Sequence, residues 1–456
     1  MTINALPDDV LLLIFHFDRV GHPSQHYGPW RWDRLVHVCR RWRSIVFASP
    51  NFLDLSLVCG SVTRVRRLGV WPPFPITITG RTWIKCKRRD LDDLIVHRNR
   101  VREICLLDLE SRQLQRLASA MWVQFPALTH LRLGYSRNWH SPALALPDGF
   151  LGGSAPHLQS LELDFIPFPA LPTFLLSSTN LVSLILLNIP RSGYISPQVI
   201  VTSLATLVNL ESLTMTFEPI SFLAYQGIRH APPPTCTTLP VLTFFVFEGV
   251  VEYLEPFVSQ IDVPLLGSIR ILLLNQFVFD FPQLAQFMRR ATRFQAPNRL
   301  HVGSDHSGFS VNSYPPIGDE TPRLTITCGA GWKFLLRAQV FSSFLPSAYM
   351  VDHLYLHWSS LSAPQGDDYV EWLELIRSFT AVKNVYVCKE LATCIALALK
   401  KLVGERITDV LPALENLFFE GLQPSGLVQE TIEPFVSARQ LLGHPVAVSR
   451  WNKASI

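Results

Sequence analysis

The sequence predicts an α/β protein, with a small helical domain at its N-terminus and a long solenoid of strand-bearing repeats behind it. Three observations lead there. One apolar phrase, an aliphatic residue followed by two more at the third and fifth positions after it, recurs about every 28 residues from residue 101 onward. The first fifty residues instead space their apolar side chains by three and four. The chain has 456 residues, 48% of them hydrophobic and only 17% charged. That is too long for one ordinary core and too apolar for wholesale disorder.

The helical part begins at Leu6-Pro7-Asp8-Asp9-Val10. Proline suits the first turn because its missing N–H has no intrahelical partner there. Asp8 and Asp9 stand where the helix dipole favours negative charge. Val10, Leu11, Leu13, Ile14 and Phe17 follow at helical spacing. The polar GHPSQHYGP segment reads as a loop. A second helical stretch starts near Trp30, with Leu35, Val38, Cys39, Trp42, Ile45 and Val46 recurring between Arg34, Arg40, Arg41 and Arg43. Ser49-Pro50 ends it. Two or three helices this short carry more large apolar side chains than so small a core hides, and an exposed apolar helix face marks a partner site.

The segments LPDDVLLLIFHF, LVHVCRRWRSIV and SPNFLDL, in that order, resemble the F-box. The loop from Arg19 to Pro29 is longer than the turn of many F-boxes. The C-terminal FVSARQLLGHPVAVSRW is similar to the tails of fungal F-box domain-containing proteins. The resemblance implies docking onto a Skp-type adaptor, and through it onto a cullin ligase core. It implies Leu6, Pro7, Val10, Ile14, Val38, Cys39 and Trp42 as the adaptor contacts. The competing reading is a generic helical hairpin with Cys39 and Trp42 buried.

The repeats begin with FPALTHLRL, APHLQSLEL, TNLVSLILL and VNLESLTMT, at 128, 158, 181 and 210. They continue with PVLTFFVFEG at 242, SIRILLLN (Ile269, Leu272, Leu274), MVDHLYLHW at 351, AVKNVYV at 382 and PALENLFFEG at 414. Weaker copies start at 101, 297 and 321. Each reads as one short strand with a helical or irregular return. FPQLAQFMRRATRF and DDYVEWLELIRSFT read as helical returns. The phrase resembles leucine-rich repeats, so the implied architecture is a helical F-box followed by a leucine-rich-repeat-like α/β solenoid. The Asn that such repeats place eight residues after the start is missing, with Ser136, Ile166, Ile189 and Glu218 there instead. An ordinary α/β domain with apolar strands is the alternative. The expected boundaries are 1–58 for the helical domain, 59–100 for a basic linker, 101–430 for the repeats and 431–456 for a tail. WPPFP, APPPT and YPPIG read as loop breaks.

Alternate strand residues point to opposite faces. If the repeat leucines point inward, the face opposite them is polar and, in the later repeats, aromatic. Arg132, His301, His353, Tyr355, His357 and Tyr386 are the expected target-binding residues on it, since Tyr and Arg serve as interface anchors. On a strand, His353 and His357 stand roughly 13 Å apart, too far to share one metal ion.

The net charge of +4 is uneven, for residues 1–104 hold 17 Lys/Arg against 9 Asp/Glu. Arg64, Arg66, Arg67, Lys85, Lys87, Arg88 and Arg89 make 60–104 a possible nucleic-acid surface or import signal. Only Trp71, Phe74 and Trp83 interleave them, few for stacking on single strands. The eight scattered cysteines form no C-x-x-C pair. The longest apolar stretch, 263–281, is interrupted by Arg270. The start MTINALPDDV has no basic leader pattern. These are the marks of an intracellular chain, in cytoplasm, nucleus or both. No phosphate loop, G-x-S-x-G or H-E-x-x-H occurs. The expectation is a non-enzymatic subunit without cofactor or metal, the substrate-recognition part of a Skp–cullin–F-box ubiquitin ligase. The alternatives are a non-degradative adaptor-binding scaffold and, less favoured, a nucleic-acid binder.

Overall fold

The computed structural model describes residues 3–20, 32–49, 57–59, 73–80, 95–136, 144–218, 236–274, 281–291, 298–305, 308–314, 324–329, 351–359, 369–404, 407–423 and 426–452. The chain divides into two compact units, Met1–Ile195 and Ser196–Ile456. Each unit is built on a mainly parallel sheet. The basic residues Arg64, Arg66, Arg67, Lys85, Lys87, Arg88 and Arg89 lie outside the described residues, as do Trp71 and Trp83.

The first unit opens with α1 (Asp8–Val20), α2 (Trp32–Val38) and α3 (Arg40–Ala48). Six strands follow: β1 (Leu57–Cys59), β2 (Ile76–Gly80), β3 (Val101–Leu109), β4 (His130–Tyr135), β5 (Ser160–Asp164) and β6 (Ser183–Ile189). They lie side by side in chain order, each parallel to the last. Helix α4 (Ser111–Ala120) returns the chain from β3 to β4, and α5 (Leu171–Ser177) returns it from β5 to β6. A capping box starts α4, with Glu110 and Gln113 satisfying each other's backbone N–H. The repeat leucines are the core: Leu131, Leu133, Leu161, Leu163, Leu184 and Leu186 are all 5% exposed or less. No Asn closes each repeat. Instead Asp108, Phe165 and Asn188, each seven residues after a repeat start, take left-handed φ values of 56°, 57° and 50°. The turn therefore falls one residue early, and Asn188 there donates its amide to the Asp164 carboxylate at 2.7 Å.

The second unit starts with α6 (Pro197–Leu204), β7 (Ser212–Phe217), β8 (Thr237–Thr238), β9 (Phe244–Gly249), α7 (Val251–Ser259), β10 (Ile261–Asp262), β11 (Ser268–Leu273) and α8 (Pro282–Arg290). It continues with β12 (Arg299–Asp305), β13 (Gly308–Tyr314), β14 (Leu324–Gly329), β15 (His353–Trp358), α9 (Tyr369–Arg377) and β16 (Asn384–Val387). It ends with α10 (Ala392–Lys400), β17 (Asn416–Glu420), α11 (Leu427–Leu441) and β18 (Ala447–Trp451). Its sheet runs β7-β9-β11-β14-β13-β12-β15-β16-β17-β18, while β8 and β10 pair apart from it. All neighbours are parallel except around β13, which is antiparallel to both β12 and β14. Regular repetition is thus broken once. After β11 the chain skips two places, returns through β13 to β14, and resumes at β15 beside β12.

One register differs from the sequence reading. In SIRILLLN the buried residues are Ile269, Ile271 and Leu273, not Leu272 and Leu274. The repeat starts at the buried Leu266. Four successive aliphatic residues carry no period-two signal, so the leucines alone did not set the face. The helical returns expected at 281–294 and 367–380 contain α8 and α9. The Glu255 carboxylate of α7 accepts the first free N–H groups of α8, from Gln283 and Leu284, both at 2.9 Å. The helices cover one face of the strands with Trp372, Ile376, Ile395, Leu399, Ile432 and Phe435, all 1% exposed or less. The other face carries the alternate residues.

Candidate functional site

Two surfaces stand out. The first is on the N-terminal helices. Leu11 and Phe15 of α1 are buried, with Val36 of α2 and Val46 of α3. Phe15 packs on Trp42 with ring centroids 4.8 Å apart. The same helix is apolar on a second side. Leu13, Ile14 and Phe17 are 48%, 41% and 69% exposed, and Val38 at the end of α2 is 59% exposed. A short helix buries one stripe, so a second apolar stripe has no intramolecular use. All seven expected adaptor contacts keep accessible surface: Pro7, Ile14 and Val38 are exposed, while Leu6, Val10, Cys39 and Trp42 are half-buried. The Arg41 guanidinium donates to the Leu6 carbonyl and to the Asp8 carboxylate, at 2.8 Å through Nε, which ties the start of α1 to α3. Cys39 caps α3, its sulfur accepting the Trp42 N–H at 3.4 Å.

The second surface lies in the second unit, on the strand face opposite the helices. Register places His301, Tyr355, Tyr386 and Phe418 next to one another on β12, β15, β16 and β17. Their rings stack edge-up, 4.4 Å from His301 to Tyr355, 4.2 Å from Tyr355 to Tyr386 and 4.6 Å from Tyr386 to Phe418. Tyr314 of β13 extends the row, 4.5 Å from His301. A polar row runs beside it, in which Arg299, His353, Asn384 and Asn416 are in register. His353 shares a hydrogen bond with the Tyr386 hydroxyl at 3.3 Å, and Asn416 donates to Asn384 at 2.9 Å.

Of the six residues expected to bind a target, His301, His353, Tyr355, His357 and Tyr386 lie on three adjoining strands. Arg132 does not join them. It belongs to β4 of the first unit, where it pairs with Glu162 at 2.9 Å. Two members of the aromatic cluster were not foreseen, Tyr314 and Trp451. Trp451 ends β18, and its indole reaches Tyr386 at 5.6 Å. The signal existed: Val446 stands 32 residues after Leu414 and is buried, so the period continues into the segment read as a tail.

Burial pushes the His301 imidazole down to about 4, with His357 and Arg299 adding repulsion. Burial also lowers His353, against the pull of Asp352, and Arg299 lowers it further. Tyr355 is pushed up to about 12 by burial and by Tyr386 beside it. His301 and Tyr355 are therefore both neutral at physiological pH. A histidine kept neutral when folded binds fewer protons than when unfolded, so stability falls as pH drops below about 6.5 and reaches its full loss below about 4. Thermal unfolding of a His301→Phe variant is expected to show a smaller loss between pH 7 and 5 than the parent. An imidazole of His301 titrating above pH 6 in an NMR titration would contradict this.

Among the described residues no group of three or more His, Cys, Asp or Glu is placed to hold a metal ion. Among them, too, no helix is long and apolar enough to cross a membrane. No family model matches the chain, and no curated protein matches it. Among solved structures, the leucine-rich repeat-containing protein LegL7 from Legionella pneumophila is similar over 84% of this chain and 97% of that one, with 13% identity and a TM-score of 0.28.

Proposed function

We propose that this chain is the target-recognition subunit of a Skp–cullin–F-box-type ubiquitin ligase, with a leucine-rich-repeat-like body. The observation that carries the reading is the two-sided α1, with Leu11 and Phe15 in the core and Leu13, Ile14 and Phe17 left outside. It joins the F-box-like sequence of the same segment. In this reading the stripe and Val38 enter an apolar groove of the adaptor, while Arg40 and Arg43, exposed beside Val38, meet an acidic rim. The aromatic row of the second unit holds the target. The chain itself performs no bond chemistry. It raises the effective concentration of a target near the ubiquitin carrier.

The test is co-expression with a Skp-type adaptor, read by size-exclusion chromatography and calorimetry. The intact chain is expected to co-elute in equal amounts. An Ile14→Glu/Phe17→Glu variant is expected to bind about 100-fold more weakly or worse, since two anchors at an interface centre each contribute about 2 kcal/mol or more. Its unfolding temperature stays unchanged, because both side chains are exposed. Failure of the intact chain to co-elute at micromolar concentration, or full retention by the variant, removes the ligase reading.

A further inference from the structure

Trp451 belongs to the last strand of the second unit, but its side chain leaves that strand. The indole N–H donates to the Val387 carbonyl of β16 at 3.1 Å. The ring stands nearly upright against Tyr386 and Tyr355, at 77° and 70°, with centroids 5.6 and 6.3 Å away. Neighbouring strands are about 4.8 Å apart, so the indole passes over β17 and rests on rings two and three strands away.

Strand β18 is otherwise lightly held. None of its five residues is buried, and among the described strands it forms the edge of its sheet. The neighbouring β16 and β17 bury Val385, Val387, Leu417 and Phe419 at 1% exposure or less. What retains β18 is its parallel ladder to β17, the Ala447 N–H bonded to the Glu415 carbonyl at 2.9 Å, the buried Val446 before it, and the Trp451 clamp. An edge strand fixed by backbone bonds, one buried valine at its start and one aromatic anchor opens at a smaller free-energy cost than the core strands beside it.

We infer that β18 is an exchangeable strand. It fills, from within the chain, a receiving site for an extended peptide that pairs in parallel with β17 and sets an aromatic side chain against Tyr355 and Tyr386. The occupant is defined by what β18 supplies. The β17 edge needs the alternating N–H and C=O groups of an extended backbone. Phe418 is in register with the small Ser449, so a small residue belongs there. Two positions on, the Val387 carbonyl takes an indole N–H, which selects tryptophan. The partner is therefore a strand-forming segment with a small residue two places before a tryptophan. This deepens the target-recognition reading of the aromatic row and rests on it for its biological meaning.

The full-length chain tests it, with a fluorescent nine-residue peptide of the chain's own sequence HPVAVSRWN (444–452) as probe. Ala447→Pro removes the donor to Glu415 and frees the edge; Trp451→Ala removes the clamp. Both variants are expected to bind the peptide about tenfold more tightly than the parent or better, since a site closed nine-tenths of the time shows its affinity reduced by that factor. A peptide with alanine in place of its tryptophan is expected to lose binding. In the unaltered chain, hydrogen exchange of the β18 amides is expected to be about 100-fold faster than that of β16. Equal protection of the two strands, equal peptide affinity for parent and variants, or binding by none of them overturns the inference. So does dimerisation of the variants by light scattering, which would make a second copy the occupant. Adaptor binding by the α1 stripe is measured on the same samples, so the two readings fail separately.

Discussion

Replacing Arg439 with methionine is expected to destabilise the second unit by about 2–4 kcal/mol, since buried acceptors that lose a charged donor cost about 1–3 kcal/mol each. Arg439 is 0% exposed on α11. Its guanidinium donates to four carbonyls of the loop before β17, those of Ile407, Leu411, Pro412 and Leu414, at 3.2 to 3.4 Å. It also lies 5.9 Å from the Phe435 ring. The loop is bent at Leu411, whose φ of 49° is left-handed and costs a leucine about 1–2 kcal/mol. One side chain thus donates to four carbonyls, three of them through buried hydrogen bonds, and holds a strained turn. Methionine fills similar volume but supplies no donor; the Leu411 carbonyl keeps the Leu414 N–H at 3.0 Å, while the guanidinium's hydrogen bonds to the loop are lost. Chemical unfolding of parent and variant measures the difference. Arg439→Lys is expected to fall between them, because an ammonium lacks the fork that spans four carbonyls. A loss below about 1 kcal/mol in the methionine variant would mean that the loop reopens to water and that Arg439 is no keystone.

Arg439 also shows how far the sequence speaks. Ile432, Phe435 and Arg439 occupy one helical stripe, so an arginine standing at a core position was visible before the structure. Its four acceptors were not, because they belong to a loop whose path depends on packing. The strands were legible for a different reason. Period-two alternation at a recurring interval is a local signal, and eleven of the twelve repeat starts are followed by strands whose alternate apolar residues are buried. The signal failed where it was locally uniform, in Ile271-Leu272-Leu273-Leu274. It was also silent on order: nothing in 299–314 says that β13 runs antiparallel and pushes β14 beside β11. The N-terminal stripe was half legible. Apolar residues occur around most of α1, and only the fold assigns Leu11 inward and Phe17 outward. The aromatic row combined both cases. His301, Tyr355 and Tyr386 followed from strand alternation, whereas Trp451 required knowing that its side chain crosses a strand.

Introducing a single methyl group at Gly303 is expected to damage the row from its side, on the same strand face, with a loss of about 1–3 kcal/mol for Gly303→Ala, the range for overpacking a filled site. Gly303 of β12 is in register with His357 of β15. A Cβ there would stand 2.4 Å from the His357 carbonyl oxygen and 2.5 Å from two atoms of its imidazole. A flexible side chain can swing away from such a contact, but a backbone carbonyl within the ladder moves only with its strand. The β12–β15 pairing must therefore spread at the point where His301 and Tyr355 stack at 4.4 Å. The matched control is Gly267→Ala, whose Cβ would meet only the Thr243 carbonyl at an ordinary 3.7 Å, and which is expected to change stability by less than about 0.5 kcal/mol. At roughly 2–4 °C per kcal/mol for a unit of this size, the two variants separate clearly in a thermal scan. The peptide of residues 444–452 adds a second reading, since displacement of Tyr355 should weaken its binding to an Ala447→Pro background as well. Equal unfolding temperatures for the two glycine variants would show that β12 and β15 yield without cost, and that close strand approach at Gly303 does not set the geometry of the row.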